Sequence, residues 1–181
     1  MRTQQSVFIA TSVDGFIARK NGRIDWLDAF NATVPKGEDC GYGQFISSVD
    51  VLVMGRHSYE QVLKFDPWPY QNLHLHVLTT QKIQIPAALS NTVSFSSETP
   101  EELVTRFSNE GAKHLYIDGG ITIQRFLRAG LINTLTITLI PVLLGEGKPL
   151  FSILDNDVKL KLINSISYEF GVVQNTYEIL T

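Results

Sequence analysis

Two short stretches of the chain combine glycine with groups that bind phosphate in proteins. In the first, an apolar run at residues 51–54 leads into Gly55 and Arg56. The run is typical of a buried strand, Gly55 permits a tight turn, and Ser58 is expected to cap the following helix. Backbone N–H groups at a helix start and a guanidinium both favour an oxyanion. The residues alone leave two interpretations open, a phosphate site or an arginine merely solvated at a strand end.

The second stretch is Gly119-Gly120, which follows the apolar run at residues 114–117. A glycine pair lets a backbone approach a ligand closely, although a tight turn made for packing explains such a pair equally well. The ends of parallel strands line one crevice in an open α/β sheet, so the two turns could hold a dinucleotide from both sides. Neither is the usual dinucleotide fingerprint. The nearest match to that pattern, Gly41-Tyr42-Gly43, has Ile46 where the third glycine belongs.

Candidates for acid and base chemistry are three aspartates, Asp14, Asp25 and Asp39. They flank residues 19–36, where no regular period is found, and we expect a long irregular loop that acts as a lid. A carboxylate partly buried near Trp26 would have a raised pKa and could protonate a substrate. For Asp39, a helix cap is the simpler interpretation. No combination of serine, histidine and acid suggests a nucleophile.

Composition excludes several classes of function. The 181 residues are 44% hydrophobic and 18% charged, which predicts a single domain over 1–181. A net charge of −3 gives no basic footprint for nucleic acid. We also expect no metal, since His74 and His76 lack a third ligand at a suggestive spacing. No stretch reaches the length of a membrane span or a signal peptide, and we expect a cytoplasmic protein.

The hydrophobic pattern alternates between strands and helices, which predicts a largely parallel sheet with helices on its faces. The end of the chain lacks helices, so an antiparallel edge is expected there. A capping box opens one helix at residue 99. The predicted strands are 6–11, 16–18, 51–54, 74–79, 91–96, 114–117, 134–144, 158–168 and 172–180, and the predicted helices are 39–48, 58–64, 99–109 and 122–129.

Several ordered motifs resemble the dihydrofolate-reductase-like superfamily, above all the reductase domain of riboflavin biosynthesis and its stand-alone relatives. The motifs are SVDGFIA at 12–18, DWL at 25–27, MGRHSYE at 54–60, the pair Gly119-Gly120, GLI at 130–132 and PVLLG at 141–145. They cover nearly the whole chain. The resemblance implies a three-layer α/β/α fold of the dihydrofolate-reductase type, with a mostly parallel sheet of about eight strands and an antiparallel C-terminal strand.

For the cofactor, the resemblance implies NADPH lying across the strand ends. Phosphate contacts are implied for Gly55, Arg56, His57 and Ser58; the adenosine 2′-phosphate side for Leu78, Thr79 and Thr80; the pyrophosphate and nicotinamide for Gly119, Gly120, Ile121, Thr122 and Ile123; and the nicotinamide end for Ala10 and Ile17.

For catalysis, the resemblance places Asp39 where dihydrofolate reductases keep their catalytic carboxylate and Thr138 where they keep its threonine partner. Asp14 or water is the alternative proton donor. Asp25 and Trp26 replace a proline-tryptophan pair on the substrate side, and Asp118 replaces the first of three glycines. The arginine that clamps a folate tail is absent around residues 73–74.

These departures favour an NADPH-dependent reductase acting on a small heterocyclic or pyrimidine-type substrate, similar to 5-amino-6-(5-phosphoribosylamino)uracil reductase. A dihydrofolate reductase, an NADP-binding module without turnover and a purely structural protein are the alternatives. The resemblance also implies a homodimer, which we expect to form through the apolar region 134–144.

Overall fold

The computed structural model describes residues 3–180 and builds them around an eight-stranded sheet, with a separate two-stranded sheet at its edge. The strands are β1 (Gln4–Ser12), β2 (Phe16–Ala18), β3 (Val51–Gly55), β4 (His74–Leu78), β5 (Val93–Ser96), β6 (His114–Asp118), β7 (Thr134–Ile140), β8 (Lys148–Pro149), β9 (Leu160–Ser167) and β10 (Val173–Ile179). The α-helices are α1 (Asp25–Asn31), α2 (Tyr42–Ser47), α3 (Arg56–Val62), α4 (Pro100–Asn109) and α5 (Gly120–Arg128).

Strand direction follows the expected pattern. The order across the large sheet is β5-β4-β3-β6-β1-β7-β10-β9, and the first six strands run parallel to one another. β10 is antiparallel to β7, and β9 is antiparallel to β10. The mostly parallel sheet with an antiparallel C-terminal part is therefore confirmed. All six parallel strands end at one edge of the sheet, which is where ligands bind in open α/β folds.

Apolar side chains cover both faces of the sheet. On one face, α4 and α5 pack through Leu103, Phe107, Ile123 and Phe126. On the other face, α2 and α3 pack through a second cluster that includes Phe45 and Tyr59. Trp26 of α1 joins Ile140 and Val172 in a third cluster. The result is the expected three-layer α/β/α arrangement.

Helix starts were predicted with mixed success. The capping box of α4 is confirmed, because Thr99 Oγ1 accepts from Glu102 N while the Glu102 carboxylate accepts from Thr99 N. The expected cap at Ser58 is wrong: α3 begins at Arg56 and its N-cap is Gly55. Ser58 therefore lies inside the helix, and its hydroxyl is available for a contact outside it.

Three other boundaries differ from the sequence prediction. The region 19–36 is not an irregular loop throughout, since it contains α1. The helix predicted from residue 39 begins only at Tyr42, because Cys40 and Gly41 have φ angles of 53° and 79° in the left-handed region. The strand predicted over 134–144 ends at Ile140. Among the described residues, no helix has both the length and the apolar character needed to cross a membrane.

Candidate functional site

The two glycine turns lie side by side at the carboxyl edge of the sheet. β3 and β6 are neighbours, with Met54 aligned with Asp118. A Cβ atom built on Gly119 would collide with the hydroxyl of Ser58, and one built on Gly55 would lie 3.1 Å from Thr122 Oγ1. The turn after β3 and the turn after β6 are thus in direct contact. Both positions need glycine for this close approach.

Gly119 also has a backbone conformation that favours glycine. Its φ angle is 84°, and it serves as the N-cap of α5, which begins at Gly120. The first N–H groups of a helix have no partner within the helix, and α5 begins beside the turn of β3. A phosphate at this position would meet backbone donors from α5 and the hydroxyl groups of Ser58 and Thr122.

A small flap covers the start of α5. β2 and β8 form the two-stranded sheet, and Ile17 of β2 projects over Gly120, where a built Cβ would lie 2.8 Å from Ile17 Cδ1. Gln124 of α5 donates from Nε2 to the carbonyl oxygen of Pro149 at 3.1 Å. The flap is therefore attached to the helix that it covers. It brings Ile17 against Gly120 of the glycine pair.

The remaining predicted cofactor residues lie around this edge, but the side chains of Leu78 and Ile123 belong to the buried core. Leu78 is aligned with Gly55 on the adjacent strand, and Thr79 and Thr80 follow it. Ile121 is 69% exposed at the first turn of α5. Ile123, in contrast, is completely buried in the core cluster beneath α5, so its side chain is not part of the surface. Position 123 lies on the face of α5 that packs against the sheet.

The carboxylate of Asp14 connects two loops by hydrogen bonds. It accepts hydrogen bonds from the N–H groups of Leu144 at 3.1 Å and Gly145 at 2.7 Å. A hydrogen bond with the Ser12 side chain, helped by these two amides, lowers the pKa of Asp14. A carboxylate whose charged form is stabilised in this way is a weak source of protons at neutral pH.

Asp39 and Thr138 do not form the carboxylate–threonine pair of dihydrofolate reductases. Both Asp39 oxygens accept from the backbone at 2.8 Å, Oδ1 from Gly41 N and Oδ2 from Gly43 N. The Thr138 hydroxyl accepts instead from Nε2 of Gln174 at 2.9 Å. Asp39 therefore acts as a local cap, which agrees with the simpler interpretation of its sequence position. The sequence analysis did not single out Gln174.

Asp25 and Trp26 open α1, but their polar groups are differently placed. Arg19 Nε donates to Asp25 Oδ1 at 2.8 Å, and this ion pair lowers the pKa of Asp25. The Trp26 ring is buried against Ile140 and Val172, and its indole N–H finds no acceptor among residues 3–180. The ring forms one wall of the carboxyl-edge region, while the Asp25 carboxylate is held by Arg19 at the protein surface.

Asp118, the last residue of β6, is an acidic group that the sequence analysis did not consider as an acid or base. Burial raises the pKa of Asp118 to about 6, and a hydrogen bond from the N–H of Gly119 offsets the effect only in part. Near it lie the phenol groups of Tyr42, Tyr70 and Tyr116, and the pKa of each is raised by its own burial and by the Asp118 charge. Burial raises the pKa of Tyr42 to about 12, so its phenol remains a hydrogen-bond donor at neutral pH.

The alternation of side chains along β6 could have revealed this cluster. Residues 116 and 118 share one face of a strand, and Tyr116 is held there by donating from its hydroxyl to the carbonyl oxygen of Phe8 at 2.7 Å. Tyr42 packs edge-on against the ring of Phe8 on the same face, with ring centroids 5.6 Å apart. The carboxyl of Asp118 is thus adjacent both to the glycine pair and to a group of phenols.

Comparison with known proteins places this arrangement in a family. The model of the RibD C-terminal domain matches residues 6–174. The chain belongs to the RibD C-terminal domain family. The uncharacterized protein YwjB of Bacillus subtilis is 36% identical to this RibD C-terminal domain over 165 residues, which are 90% of each chain. A solved structure from Shewanella sp. PV-4, named as a candidate riboflavin biosynthesis protein, is 37% identical with a TM-score of 0.90, covering 99% of this chain and 100% of that one.

The same domain also has the fold of dihydrofolate reductases. The Enterococcus faecalis dihydrofolate reductase, solved with NADP(H) and RAB-propyl, matches with a TM-score of 0.63 and covers 99% of this chain and 98% of that one. Its sequence is 17% identical, so the match concerns the fold alone. The resemblance to the superfamily and to its riboflavin-biosynthesis branch is therefore confirmed.

Proposed function

We propose that this RibD C-terminal domain is an NADPH-dependent oxidoreductase that reduces a small heterocyclic or pyrimidine-type substrate. The observation that supports it most is the contact between the two glycine turns. At this contact the first N–H groups of α5 lie beside the Ser58 hydroxyl, and the buried side chain of Thr122 lies next to Gly55. A reductase of the riboflavin type is the nearest enzyme by resemblance, and the family membership supports it.

The residues at the strand ends suit a dinucleotide in three respects. Two glycines leave room for close approach of a backbone to a diphosphate, and α5 presents its positive end there. Arg56 and His57 begin α3 at the same edge and supply cationic or donor groups. Ile17 and Ala10 offer apolar contacts where a flat ring would lie. When bound, NADPH would supply the hydride.

We propose Asp118 as the proton donor. A donor must be protonated often enough near neutral pH, and a carboxyl with a pKa of about 6 meets this condition better than an ordinary one. Asp14 is held in its charged form by two amides, and both oxygens of Asp39 accept from its own helix start. Tyr42 would orient a polar substrate group beside Asp118, because its phenol remains a donor while the Tyr70 phenol hydrogen-bonds to it.

Dihydrofolate reduction is the less favoured alternative. In that reaction a carboxylate and a threonine act as a pair, whereas here Gln174 donates to Thr138 and the N–H groups of Gly41 and Gly43 donate to Asp39. The missing arginine near residues 73–74 also leaves a folate tail without a bidentate partner. A binding module without turnover is the second alternative, and the experiment described next distinguishes it from an enzyme.

The test begins with binding and proceeds to turnover. Titration with NADPH and NADH, followed by nicotinamide fluorescence, should show saturable binding with tighter affinity for NADPH. Purified protein is then screened for NADPH consumption with folates and with aminouracil and other pyrimidine intermediates. No binding of either cofactor contradicts the proposal. Binding without oxidation by any of these substrates supports the binding module instead.

The expected homodimer stays a proposal, and the surface assigned to it changes. β7 lies between β1 and β10, so the region 134–144 offers no free strand edge. Of the two edge strands, β5 and β9, the longer is β9, whose eight residues are all exposed and include Leu162 at 53% and Ile163 at 55% exposure. Long apolar edge strands favour association. Light scattering should show a dimer that Leu162→Lys converts to a monomer, with Val13→Lys as the exposed control; a monomeric wild type contradicts the proposal.

A further inference from the structure

The side chain of Arg56 is already bound by an anion of the protein itself. Its Nη1 atom donates to Glu60 Oε1 at 2.5 Å, one turn further along α3. The ring of His57 touches both partners, with Nε2 3.4 Å from Arg56 Nη2 and Nδ1 3.5 Å from Glu60 Oε2. The three side chains form a closed group in which Glu60 contacts both of the residues expected to bind phosphate.

The helix geometry directs this group away from the glycine turns. Residues four apart share a helix face, whereas residues two apart lie roughly 200° around the axis from each other. Ser58 faces Gly119, so Arg56 and Glu60 lie on the side of α3 that is turned from that contact. The pair also draws the guanidinium along the helix toward residue 60, away from the strand ends.

We propose that Glu60 is an internal competitor for the phosphate that Arg56 binds, and that it sets the affinity of the site. This inference rests on the proposed function. A guanidinium binds carboxylate and phosphate with the same donors, so a ligand phosphate must displace Glu60 before Arg56 can bind it fully. The exchange also frees His57. Without Glu60, both side chains would be available before the ligand arrives, and binding would no longer include the cost of separating the ion pair.

The expected effect is modest because the pair is solvent-accessible. The Arg56 and Glu60 side chains are 28% and 47% exposed. Ion pairs of this kind, four residues apart on a helix, contribute little to stability, and their loss corresponds to about a two- to fivefold change in a binding constant. Glu60→Gln should therefore tighten phosphate binding by about that factor.

The chain contains a matched control. Arg106 and Glu110 of α4 form a second ion pair four residues apart, with Nη1 3.2 Å from Oε1. Glu110→Gln removes the same charge and breaks the same kind of pair at another place. A long-range change in net charge would tighten binding in both variants, whereas release of Arg56 would tighten it only in Glu60→Gln.

The experiment measures binding of two phosphate probes by calorimetry at low and moderate salt. Adenosine 2′,5′-bisphosphate carries the 2′-phosphate and adenosine 5′-diphosphate carries the diphosphate, so the probe that gains affinity identifies the phosphate that Arg56 binds. Glu60→Gln should tighten at least one probe about two- to fivefold, Glu110→Gln should leave both unchanged, and Arg56→Gln should weaken the same probe. Glu60→Asp, which keeps the charge but is too short for the contact, should also tighten it.

The outcomes separate the inference from the proposed function. If the wild type binds a probe and Arg56→Gln weakens it while Glu60→Gln has no effect, the competition is refuted and the cofactor site stands. If Glu60→Asp behaves as the wild type while Glu60→Gln binds tighter, charge alone acts and displacement is refuted. Equal tightening in Glu110→Gln also refutes it. If the wild type binds neither probe nor NADPH, the proposed function itself fails.

Discussion

Two polar regions of this domain differ in how completely their hydrogen bonds are satisfied. The first is the group around Asp118 at the carboxyl edge. The second joins β4, β5 and α4 through His74, His76, Ser94, Ser96, Glu98 and Arg106, and is here called the β4–β5 network. In the network, each side chain hydrogen-bonds to the next; around Asp118, burial raises the pKa of the carboxyl, and only a backbone N–H offsets the effect.

The direction of each hydrogen bond in the β4–β5 network can be derived. Ser96 Oγ donates to Glu98, so its oxygen accepts from His76 Nε2 at 3.0 Å. His76 is then neutral with its proton on Nε2, and its Nδ1 accepts from Ser94 Oγ at 2.7 Å. Ser94 in turn accepts from His74 Nε2 at 2.8 Å. The chain ends at a carboxylate held by Arg106, and the hydrogen bonds from Arg106 lower the pKa of Glu98 to about 2.

The contrast indicates which region is structural and which is available for chemistry. A part-buried network in which each side chain hydrogen-bonds to the next fixes one arrangement and leaves few polar groups free for a ligand. A carboxyl kept partly uncharged by burial, next to phenol donors, is destabilising for the protein until a substrate satisfies it. Substitutions should therefore affect activity in one region and stability in the other.

The largest expected effect is on turnover. Asp118→Asn removes the proposed proton donor and should lower kcat by about 10² to 10⁴ while leaving NADPH affinity nearly unchanged. The wild-type rate should fall as the pH rises above the apparent pKa of Asp118, because only the protonated carboxyl donates. Steady-state kinetics from pH 5 to 9 checks this. An unchanged kcat in the variant would remove Asp118 from the mechanism.

The next effect concerns acid stability of the β4–β5 network. Burial lowers the pKa of His76 from 6.5 to about 4. Between these pH values His76 binds a proton in the unfolded chain but stays neutral in the folded protein. The free energy of unfolding should fall by about 3 kcal/mol between pH 6.5 and pH 4. Denaturant unfolding in the Asp118→Asn background, with and without His76→Gln, measures it. A slope that survives His76→Gln would assign the acid sensitivity to other groups.

Asp118 should have the opposite influence on stability. Its pKa is raised from 3.8 to about 6 in the folded protein, so its contribution is favourable in acid and is lost as the pH rises through 6. Asp118→Asn should raise the free energy of unfolding by about 3 kcal/mol at pH 8 and by much less at pH 4. Thermal unfolding at both pH values checks this. A variant that is less stable at pH 8 would show that the carboxyl is better satisfied than its surroundings indicate.

The smallest effect is expected at the end of the β4–β5 network. Glu98→Gln leaves Arg106 without its two-point contact, at 2.8 Å from each carboxylate oxygen, and should cost about 1 to 2 kcal/mol. Turnover at pH 7 should remain within about twofold, since the network lies outside the proposed site. Glu110→Gln is the control, because it removes only the outer partner of Arg106. Equal losses in the two variants would argue against a special role for Glu98.

The fold was predictable because its signals are local or additive. Apolar runs located the strands, and the rule that parallel strands end at one edge correctly joined Gly55 to Gly119. The catalytic part was harder, because it depends on contacts that spacing does not reveal. Tyr70 follows α3 in an irregular segment and yet lies near Asp118, and Gln174 replaces a carboxylate as the partner of Thr138. Because Cys40 has a left-handed conformation, α2 begins only at Tyr42, and the Asp39 side chain accepts from a backbone N–H of its first turn.

The flap of β2 and β8 has a consequence for how the protein is made. The amide of Leu144 donates to the carboxylate of Asp14, which is 130 positions away in the sequence. Close to this contact, Leu150 N donates to Gly15 O at 2.9 Å. During translation, the glycine turns after β3 and β6 leave the ribosome before β8, the second strand of the flap that covers them. A nascent chain released before β8 is made would therefore expose the surface proposed to bind the coenzyme, without the strand that completes its cover.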